Sequence, residues 1–316
     1  IDDVLATLHD DTLLVHGEDM LTEEDVAEGI STNQNNKLLE NAVRRVLTNT
    51  ITTPKGDTYA NADTSCLLLV PVKDSTHQTV SLTPISPITL PKNIIIFPGS
   101  FNPPHEGHMM LARAAVKYIW DKQKKQQQQQ KRQDPTIILY EEQTPCVVFE
   151  MSITNADKPP MDLSEVMRRI QLFCSSSLDL PQDWSILLTS TPLFVEKILL
   201  FSNVVLDTKT SNYDEKPTVV IGSDTLIRIL DPKYYENNSQ SAMFQALGNM
   251  KEKGVHFVVG GRVEQKKMDT TSKPFISGEE QLALLPEDLR EHFTILNEDE
   301  FRMDISSTEL RKKGQL

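Results

Sequence analysis

A glycine-rich segment with two histidines separates an apolar run of the sequence from an amphipathic one. It begins at Gly99 and reads Gly-Ser-Phe-Asn-Pro-Pro-His-Glu-Gly-His. Gly99 allows a sharp turn and lets a phosphate approach backbone N–H groups. A helix that begins near Glu106 would point the positive end of its dipole at the same place. His105 and His108 then face a bound polyphosphate with imidazole or imidazolium N–H groups, and Gly107 leaves room for it. An isolated His-x-x-His pair can be a structural accident, but its position after a strand exit favours an anion site.

A second segment with anion-binding chemistry lies close to the last residue of the chain. It reads Ile-Ser-Ser-Thr-Glu-Leu-Arg from Ile305 to Arg311. The hydroxyls of Ser306, Ser307 and Thr308 at a helix start offer an N-cap and several donors to an anion. The guanidinium of Arg311, one turn further on, reaches the same phosphates. The alternative is that the segment only caps a C-terminal helix.

The elements around the first segment predict a layered α/β fold. Asn93–Phe97 is a β-branched apolar run that Pro98 ends, and apolar residues follow at helical spacing from Ala112 to Ile119. Further strand patterns alternate with helical ones, the strands being expected at Cys146–Met151, Ile186–Thr189, Thr218–Ile221, Val255–Val259 and Phe293–Leu296. Helices are expected at Leu163–Phe173, Leu193–Phe201, Thr225–Leu230, Ala242–Lys251 and Gly278–Leu289, with Asp162 and Glu165 forming a capping box. The alternation predicts a Rossmann-like, doubly wound parallel sheet with its ligand at the carboxyl ends of the strands.

The charge is concentrated in one part of the chain. The 316 residues include 32 basic and 45 acidic ones, a net charge of −13, which argues against a nucleic-acid-binding surface. Residues 1–90 hold fourteen of the acids and five of the bases, so we expect an acidic, partly ordered flank before a catalytic region at 91–316. Within the flank we predict a helix at Lys37–Leu47 and a strand at Cys66–Val72.

Other features of the composition indicate an ordinary globular protein. No apolar stretch approaches the roughly 18 residues of a membrane span, and we expect no membrane partner. The three cysteines are far apart, which predicts neither a zinc site nor disulfides and favours a reducing compartment. Because the chain begins with Ile1, we expect a fragment or processed form of a longer protein. The low-complexity run at 122–133 either prolongs the first helix or forms a solvated insertion; a nucleic-acid-binding tail is the less favoured alternative.

The segment with the two histidines and the segment with the three hydroxyls together resemble the motifs of a known superfamily. His105 to His108 matches H-x-G-H, and Ile305 to Arg311 matches I-S-S-T-x-x-R, the paired motifs of adenylyl- and cytidylyltransferases with a Rossmann-like fold. From residue 92 onward the chain looks most like nicotinamide or nicotinate mononucleotide adenylyltransferases. The segments that carry this narrower resemblance are Pro98–Pro103, Phe149–Ser152, Asn155–Pro160, Gly222–Asp224 and Gly260–Arg262. It is closest to a eukaryotic group in which a CinA-like region precedes the transferase, and Leu21–Glu28 resembles the tail of that region.

The resemblance implies a role for each candidate residue. His105, His108 and Arg311 would be catalytic, acting on the triphosphate. The nucleotide-binding set would be Gly99, Ser100, Phe101, Gly107, Gly222, Asp224, Arg262, Ile305, Ser306, Ser307 and Thr308. Asn155, Lys158 and Arg228 would bind the acceptor, although Lys158 and Arg228 are equally well explained as solvent-facing cations. Tyr234 and Tyr235 are candidates to stack on a ring, or they cap the core. The site would be locally cationic.

The same resemblance implies the reaction. ATP and a mononucleotide would be the partners, with Mg²⁺ carried in by the nucleotide and no protein-only metal site. The alternatives are transfer to pantetheine phosphate, a CTP-dependent cytidylyl transfer, or a regulatory module that binds nucleotide without turnover. The expected compartment is the cytoplasm, with the nucleus as an alternative. The sequence does not indicate the oligomeric state.

Overall fold

A computed structural model of the chain describes residues 32–52, 66–73, 80–85, 93–134, 144–154, 159–174, 178–206, 217–263 and 275–302. The helices are α1 (Thr32–Thr52), α2 (Glu106–Gln133), α3 (Leu163–Cys174), α4 (Phe194–Leu206), α5 (Ser223–Ile229), α6 (Gln240–Glu252), α7 (Glu279–Leu282) and α8 (Glu287–Arg290). The strands are β1 (Cys66–Lys73), β2 (Val80–Ile85), β3 (Ile94–Pro98), β4 (Cys146–Ser152), β5 (Trp184–Thr189), β6 (Thr218–Gly222), β7 (His256–Gly260), β8 (Arg262–Val263), β9 (Phe275–Ile276) and β10 (Phe293–Leu296). Two 3-10 turns, Pro232–Tyr234 and Glu236–Asn238, lie between α5 and α6.

Eight of the strands form one sheet in the order β10-β7-β6-β3-β4-β5-β1-β2. The six strands from β10 to β5 run parallel to their neighbours, whereas β1 and β2 join the β5 edge antiparallel. The centre of the sheet is apolar on both sides: every residue of β3 is buried, as expected for a parallel strand covered on two faces. The expectation of a doubly wound α/β fold is therefore confirmed.

Helices cover both faces of this sheet. Alternate strand residues such as Ile95 and Val147 pack against α1, α2 and α3, and the residues between them, such as Ile96 and Val148, pack against α4, α5 and α6. The apolar stripe of α2 follows the helical period that the sequence predicts, with Met109, Ala112, Ala115 and Ile119 buried. No helix within the described ranges combines the length and the hydropathy needed to cross a bilayer.

The residues before Leu90 contribute to the same sheet as the residues after it. The predicted helix at Lys37–Leu47 lies within α1, and the predicted strand at Cys66–Val72 is β1. Strand β1 pairs with β5, since Leu68 lies opposite Leu187, and α1 packs on β2 and α3. The acidic flank is thus set apart by its composition, while its described elements extend the sheet.

The structure decides between two alternatives in one place and changes an expectation in another. Of the two alternatives for the low-complexity run 122–133, the first is observed: the run prolongs α2, and Gln123 in it donates to the Asn93 side chain over 3.1 Å. The single helix expected at Gly278–Leu289 is instead two short helices, α7 and α8, because Pro286 lies between them and disfavours helical geometry at the residue before it.

Candidate active site

The order in which successive strands are added to the sheet reverses between the parallel neighbours β3 and β6: β4 and β5 lie on one side of β3, and β6 and β7 lie on the other. After β3 the chain continues into α2 on one face of the sheet, and after β6 it continues into α5 on the other. In open α/β sheets a crevice forms outside the carboxyl ends of the two strands that flank such a switch point, and ligands bind there. The glycine-rich segment that starts at Gly99 directly follows β3, so the fold brings the first sequence motif to this crevice.

The rings of the two histidines of the motif lie against each other at the first turn of α2, tilted by 32°. His105 is the N-cap residue, in extended geometry, and its ring centroid lies 3.7 Å from that of His108. The backbone N–H of His105 donates to Nδ1 of His108 over 3.1 Å. Because Nδ1 accepts a hydrogen bond, the neutral His108 ring carries its proton on Nε2. Within the described part of the chain, Nδ1 of His105 is buried and has no hydrogen-bond partner.

Both histidines are uncharged near neutral pH. Burial lowers the pKa of His105 to about 4. Burial, together with the neighbouring His105 ring, lowers the pKa of His108 to about 3. The expectation that the histidines make the site cationic is therefore wrong for the unliganded chain, since desolvation disfavours the imidazolium. They offer neutral N–H donors to an anion.

Gly99 and Phe101 have a packing role that the sequence does not reveal. Phe101 has a φ of 42° and is 1% exposed, and its ring packs edge-on against Phe97, Phe149 and His108 with centroids 5.1 to 5.6 Å apart. A Cβ at Gly99 would lie 2.6 Å from Cζ of Phe101. Glycine is required at position 99 because the Phe101 ring occupies the space of a side chain. The resemblance implies that Phe101 contacts the nucleotide through its backbone, and its ring belongs to the core.

The start of α3 holds the loop between β3 and α2. Arg169 donates to the carbonyl of Ser100 over 2.8 Å, and Asn102 Nδ2 donates to Oε1 of Glu165 over 3.2 Å. Glu165 pairs with both Arg168 and Arg169, and the hydrogen bond from Arg168 is the main cause that lowers the pKa of Glu165 to about 2. Asp162 caps α3 by accepting from the Glu165 N–H, but the Glu165 carboxylate is directed to the arginines. The arginines and Glu165 thus pre-organise the loop.

A pocket of about 460 Å³ opens at the carboxyl ends of β3 and β4. Its wall combines the loop after β3 with the first turn of α4 and with α5, the 3-10 turns and α6. The residues that line it include Gly99, Ser100, Ser152, Phe194, Glu196, Lys197, Thr225, Arg228, Tyr234, Tyr235, Glu236 and Asn249. Its size is within the range of small-molecule sites. Of the described residues, neither His105 nor His108 lines this pocket.

A buried ion pair joins Lys197 of the pocket wall to Glu150 behind it. Glu150 of β4 is fully buried; it accepts a hydrogen bond from the Thr189 hydroxyl over 2.5 Å and pairs with Nζ of Lys197 at 3.4 Å. The backbone N–H of Gly99 donates to the Glu150 carbonyl over 2.9 Å. Sequence reasoning missed Lys197. The sequence does contain one indication, the acidic residue Glu150 in an otherwise largely apolar strand. A carboxylate buried in a strand requires a partner, so a nearby cation could have been expected.

The remaining predicted site residues are only partly brought together. Arg228 lines the pocket, with Nε 3.3 Å from the Tyr234 hydroxyl and the guanidinium over the Tyr234 ring. Tyr235 also lines it but donates its hydroxyl to the core carbonyl of Ile229 over 2.6 Å.

Other candidates lie at the ends of strands or in the first turns of helices. Gly222 ends β6, and a Cβ added to it would have no neighbouring side chain or backbone atom within 4 Å. Asp224 is exposed in the first turn of α5. Gly107 is buried in α2. The backbone of Arg262 lies in β8, and its side chain falls outside the description. The candidates that lie outside the described residues are Asn155, Lys158, Ile305, Ser306, Ser307, Thr308 and Arg311.

Comparisons of this chain with protein-family models, with curated proteins and with solved structures returned no match. Among the residues in the described ranges, no three His, Cys, Asp or Glu side chains are grouped so that they could hold a metal ion.

Proposed function

We propose that this chain is an adenylyltransferase that transfers AMP from MgATP to nicotinamide or nicotinate mononucleotide. The observation that carries the proposal is the pair of adjacent rings His105 and His108 at the first turn of α2, in the loop and helix start that follow β3, beside the switch point of the sheet. The residues of this turn match an H-x-G-H motif, and a second matching motif occurs at Ile305 to Arg311.

The proposed reaction needs no covalent intermediate with the protein. A phosphate oxygen of the acceptor attacks the α-phosphorus of ATP, and a new P–O–P bond forms. The bond between the α-phosphorus and the bridging oxygen of the β-phosphate breaks, and pyrophosphate leaves with that oxygen. Positioning and charge stabilisation are sufficient for a phosphoryl-type transfer of this kind.

The described residues support specific parts of this chemistry. The neutral His108 ring, with its proton on Nε2, is suited to donate a hydrogen bond to an oxygen on which negative charge develops. Burial strengthens such a bond because the surroundings have a low effective dielectric constant. We assign the departing β- and γ-phosphates to Ser306, Ser307, Thr308 and Arg311 on the basis of the motif resemblance. Both substrates are intracellular metabolites, so the proposal implies a cytoplasmic or nuclear enzyme.

A substrate panel tests the proposal. The full chain would be supplied with MgATP or MgCTP and, in turn, with nicotinamide mononucleotide, nicotinate mononucleotide, phosphopantetheine and phosphocholine, while pyrophosphate release is followed and products are separated by chromatography. We expect pyrophosphate and a dinucleotide with ATP and at least one of the two pyridine mononucleotides. Release only with CTP and phosphocholine, or only with phosphopantetheine, would contradict the acceptor. ATP binding without release for any acceptor would indicate a regulatory module.

A matched pair of variants connects the activity to the histidine pair. His108→Ala removes the proposed donor. His292→Ala removes a histidine that directly precedes β10. This histidine lies at the amino ends of the parallel strands, whereas the candidate site lies at their carboxyl ends. Turnover should fall strongly with the first substitution and be retained with the second.

A further inference from the structure

The buried ion pair Glu150–Lys197 holds a cation against the pocket. The side chain of Glu150 is 0% exposed, and that of Lys197 is 13% exposed. A carboxylate in the interior is strongly disfavoured unless it is paired and hydrogen-bonded. Thr189 satisfies one oxygen of Glu150 and Lys197 lies beside the other. Glu150 therefore holds the Lys197 ammonium at one place in the pocket wall.

The Lys197 ammonium keeps donors for a further acceptor. An ammonium has three N–H groups, and Glu150 is its partner in the described part of the chain. The distance of 3.4 Å between Nζ and Oε2 is longer than the roughly 2.7–2.9 Å of a tight charge-assisted hydrogen bond. Because Lys197 lines the pocket, an anion in the pocket can approach the same Nζ atom.

The other charges at the pocket favour an anion at Lys197. Arg228 is the second cation of the lining, and Glu196 and Glu236 are its carboxylates. Both residues are exposed, so water and salt screen the repulsion of a carboxylate there; partial burial also raises the pKa of the Glu196 carboxyl, which disfavours its charged form. Lys197 is nearly buried, where the effective dielectric constant is lower and a charge acts more strongly on a neighbour. Gly99 and Ser100, which lead to the histidine pair, line the same pocket.

We propose that Lys197, positioned by Glu150, binds a phosphate group of a substrate in this pocket. The inference deepens the proposed function, on which the identity of the phosphate rests. A phosphate in the pocket can come from two sources, the phosphomonoester of the acceptor or the triphosphate of ATP. Both phosphate groups have the same chemistry toward an ammonium. Ligands that carry only a phosphomonoester or only a triphosphate therefore distinguish the two sources.

Calorimetric titration of the full chain at low ionic strength tests this role. The ligands are nicotinamide mononucleotide, ribose 5-phosphate and an ATP analogue with a methylene group between the α- and β-phosphorus atoms. We expect Lys197→Gln to weaken the binding of one class by about 10- to 100-fold, the scale of a lost hydrogen bond to a charged group. Lys197→Arg should restore most of the affinity. Lys233→Gln, which removes a lysine 60% exposed and paired with Asp231, should leave it unchanged.

A second variant covers the case in which Lys197→Gln does not fold because Glu150 loses its partner. Glu150→Gln combined with Lys197→Gln removes both charges and keeps an amide oxygen for the Thr189 hydroxyl; it should show the same loss of affinity. Equal affinity of the wild-type chain and the double variant for all three ligands would overturn the inference, and so would a wild-type chain that binds none of them.

The results also separate this inference from the proposed function. Phosphate binding that depends on Lys197, without turnover of any acceptor, would support the role of Lys197 and refute the proposed reaction. Turnover with KM values for both substrates that Lys197→Gln leaves unchanged would support the proposed reaction and refute the role of Lys197.

Discussion

Acid should destabilise the folded chain through the histidine pair at the start of α2. His105 and His108 have native pKa values of about 4 and about 3, below the value of about 6.5 of an unfolded histidine. Between the native and unfolded values the unfolded chain binds more protons, so the free energy of unfolding falls as the pH falls. The contribution is complete above the unfolded pKa and is lost progressively toward the native one. Protonation of His108 Nδ1 would also remove the acceptor of the His105 N–H.

The size of the effect follows from the pKa difference. For His108 alone, proton linkage predicts a loss of about 2 kcal/mol between about pH 6.5 and about pH 4.5. His105 adds a similar contribution, because the repulsion that a second charge would meet beside a ring 3.7 Å away only lowers the proton affinity of the folded state further. A total loss of about 2 to 4 kcal/mol is a large part of the stability of a typical domain.

Urea unfolding at a series of pH values, followed by circular dichroism, measures this loss. The reference is the double variant His105→Gln, His108→Asn, in which the Asn amide oxygen can still accept from the residue 105 N–H and no imidazole titrates. Carboxylates such as Glu165, with a pKa of about 2, contribute equally to both chains, so the difference between the two isolates the histidines. If both chains lose the same free energy over this interval, the histidines titrate normally and are not buried as the structure has them.

Three further perturbations have expected outcomes. His108→Ala should lower turnover by a factor of about 10² to 10³, the scale for one lost donor to a developing charge, with a much smaller change in the ATP dissociation constant; an unchanged rate in the pyrophosphate assay would place the site elsewhere. Gly99→Ala should destabilise the chain by about 1–3 kcal/mol through overpacking against Phe101, while Gly222→Ala, with open space around its Cβ, should cost within about 0.5 kcal/mol; equal effects in urea unfolding would contradict the packing account. Lys197→Met should lower the free energy of unfolding by about 3–5 kcal/mol because Glu150 is left buried without its partner, and adding Glu150→Gln should recover much of it; a double variant no more stable than the single one would show that the unpaired carboxyl group is not the cause.

The candidate site was only partly visible in the sequence. The histidine segment could be placed at a helix start after a strand, because glycine, proline and the change of hydrophobic period mark that junction locally. The protonation state of His105 and His108 could not, because it depends on how deeply the folded chain buries their rings, and the sequence does not show the depth of burial. Lys197 was missed for the same reason: its partner, Glu150, is on a different strand, and no sequence spacing connects a residue of β4 with one of α4.

The sequence by itself determined the alternation of strands and helices and the position of the glycine-rich turn, because periodicity and turn chemistry are local properties of the chain. Only the tertiary structure decided the order of the strands, and with it the pocket at the carboxyl ends of β3 and β4. It also decided that the acidic N-terminal region supplies α1, β1 and β2 to the common fold, since apolar residues such as Leu69 and Val43 are buried against distant partners. Net charge could not reveal this, because it describes the surface of a segment and not the contacts of its apolar face.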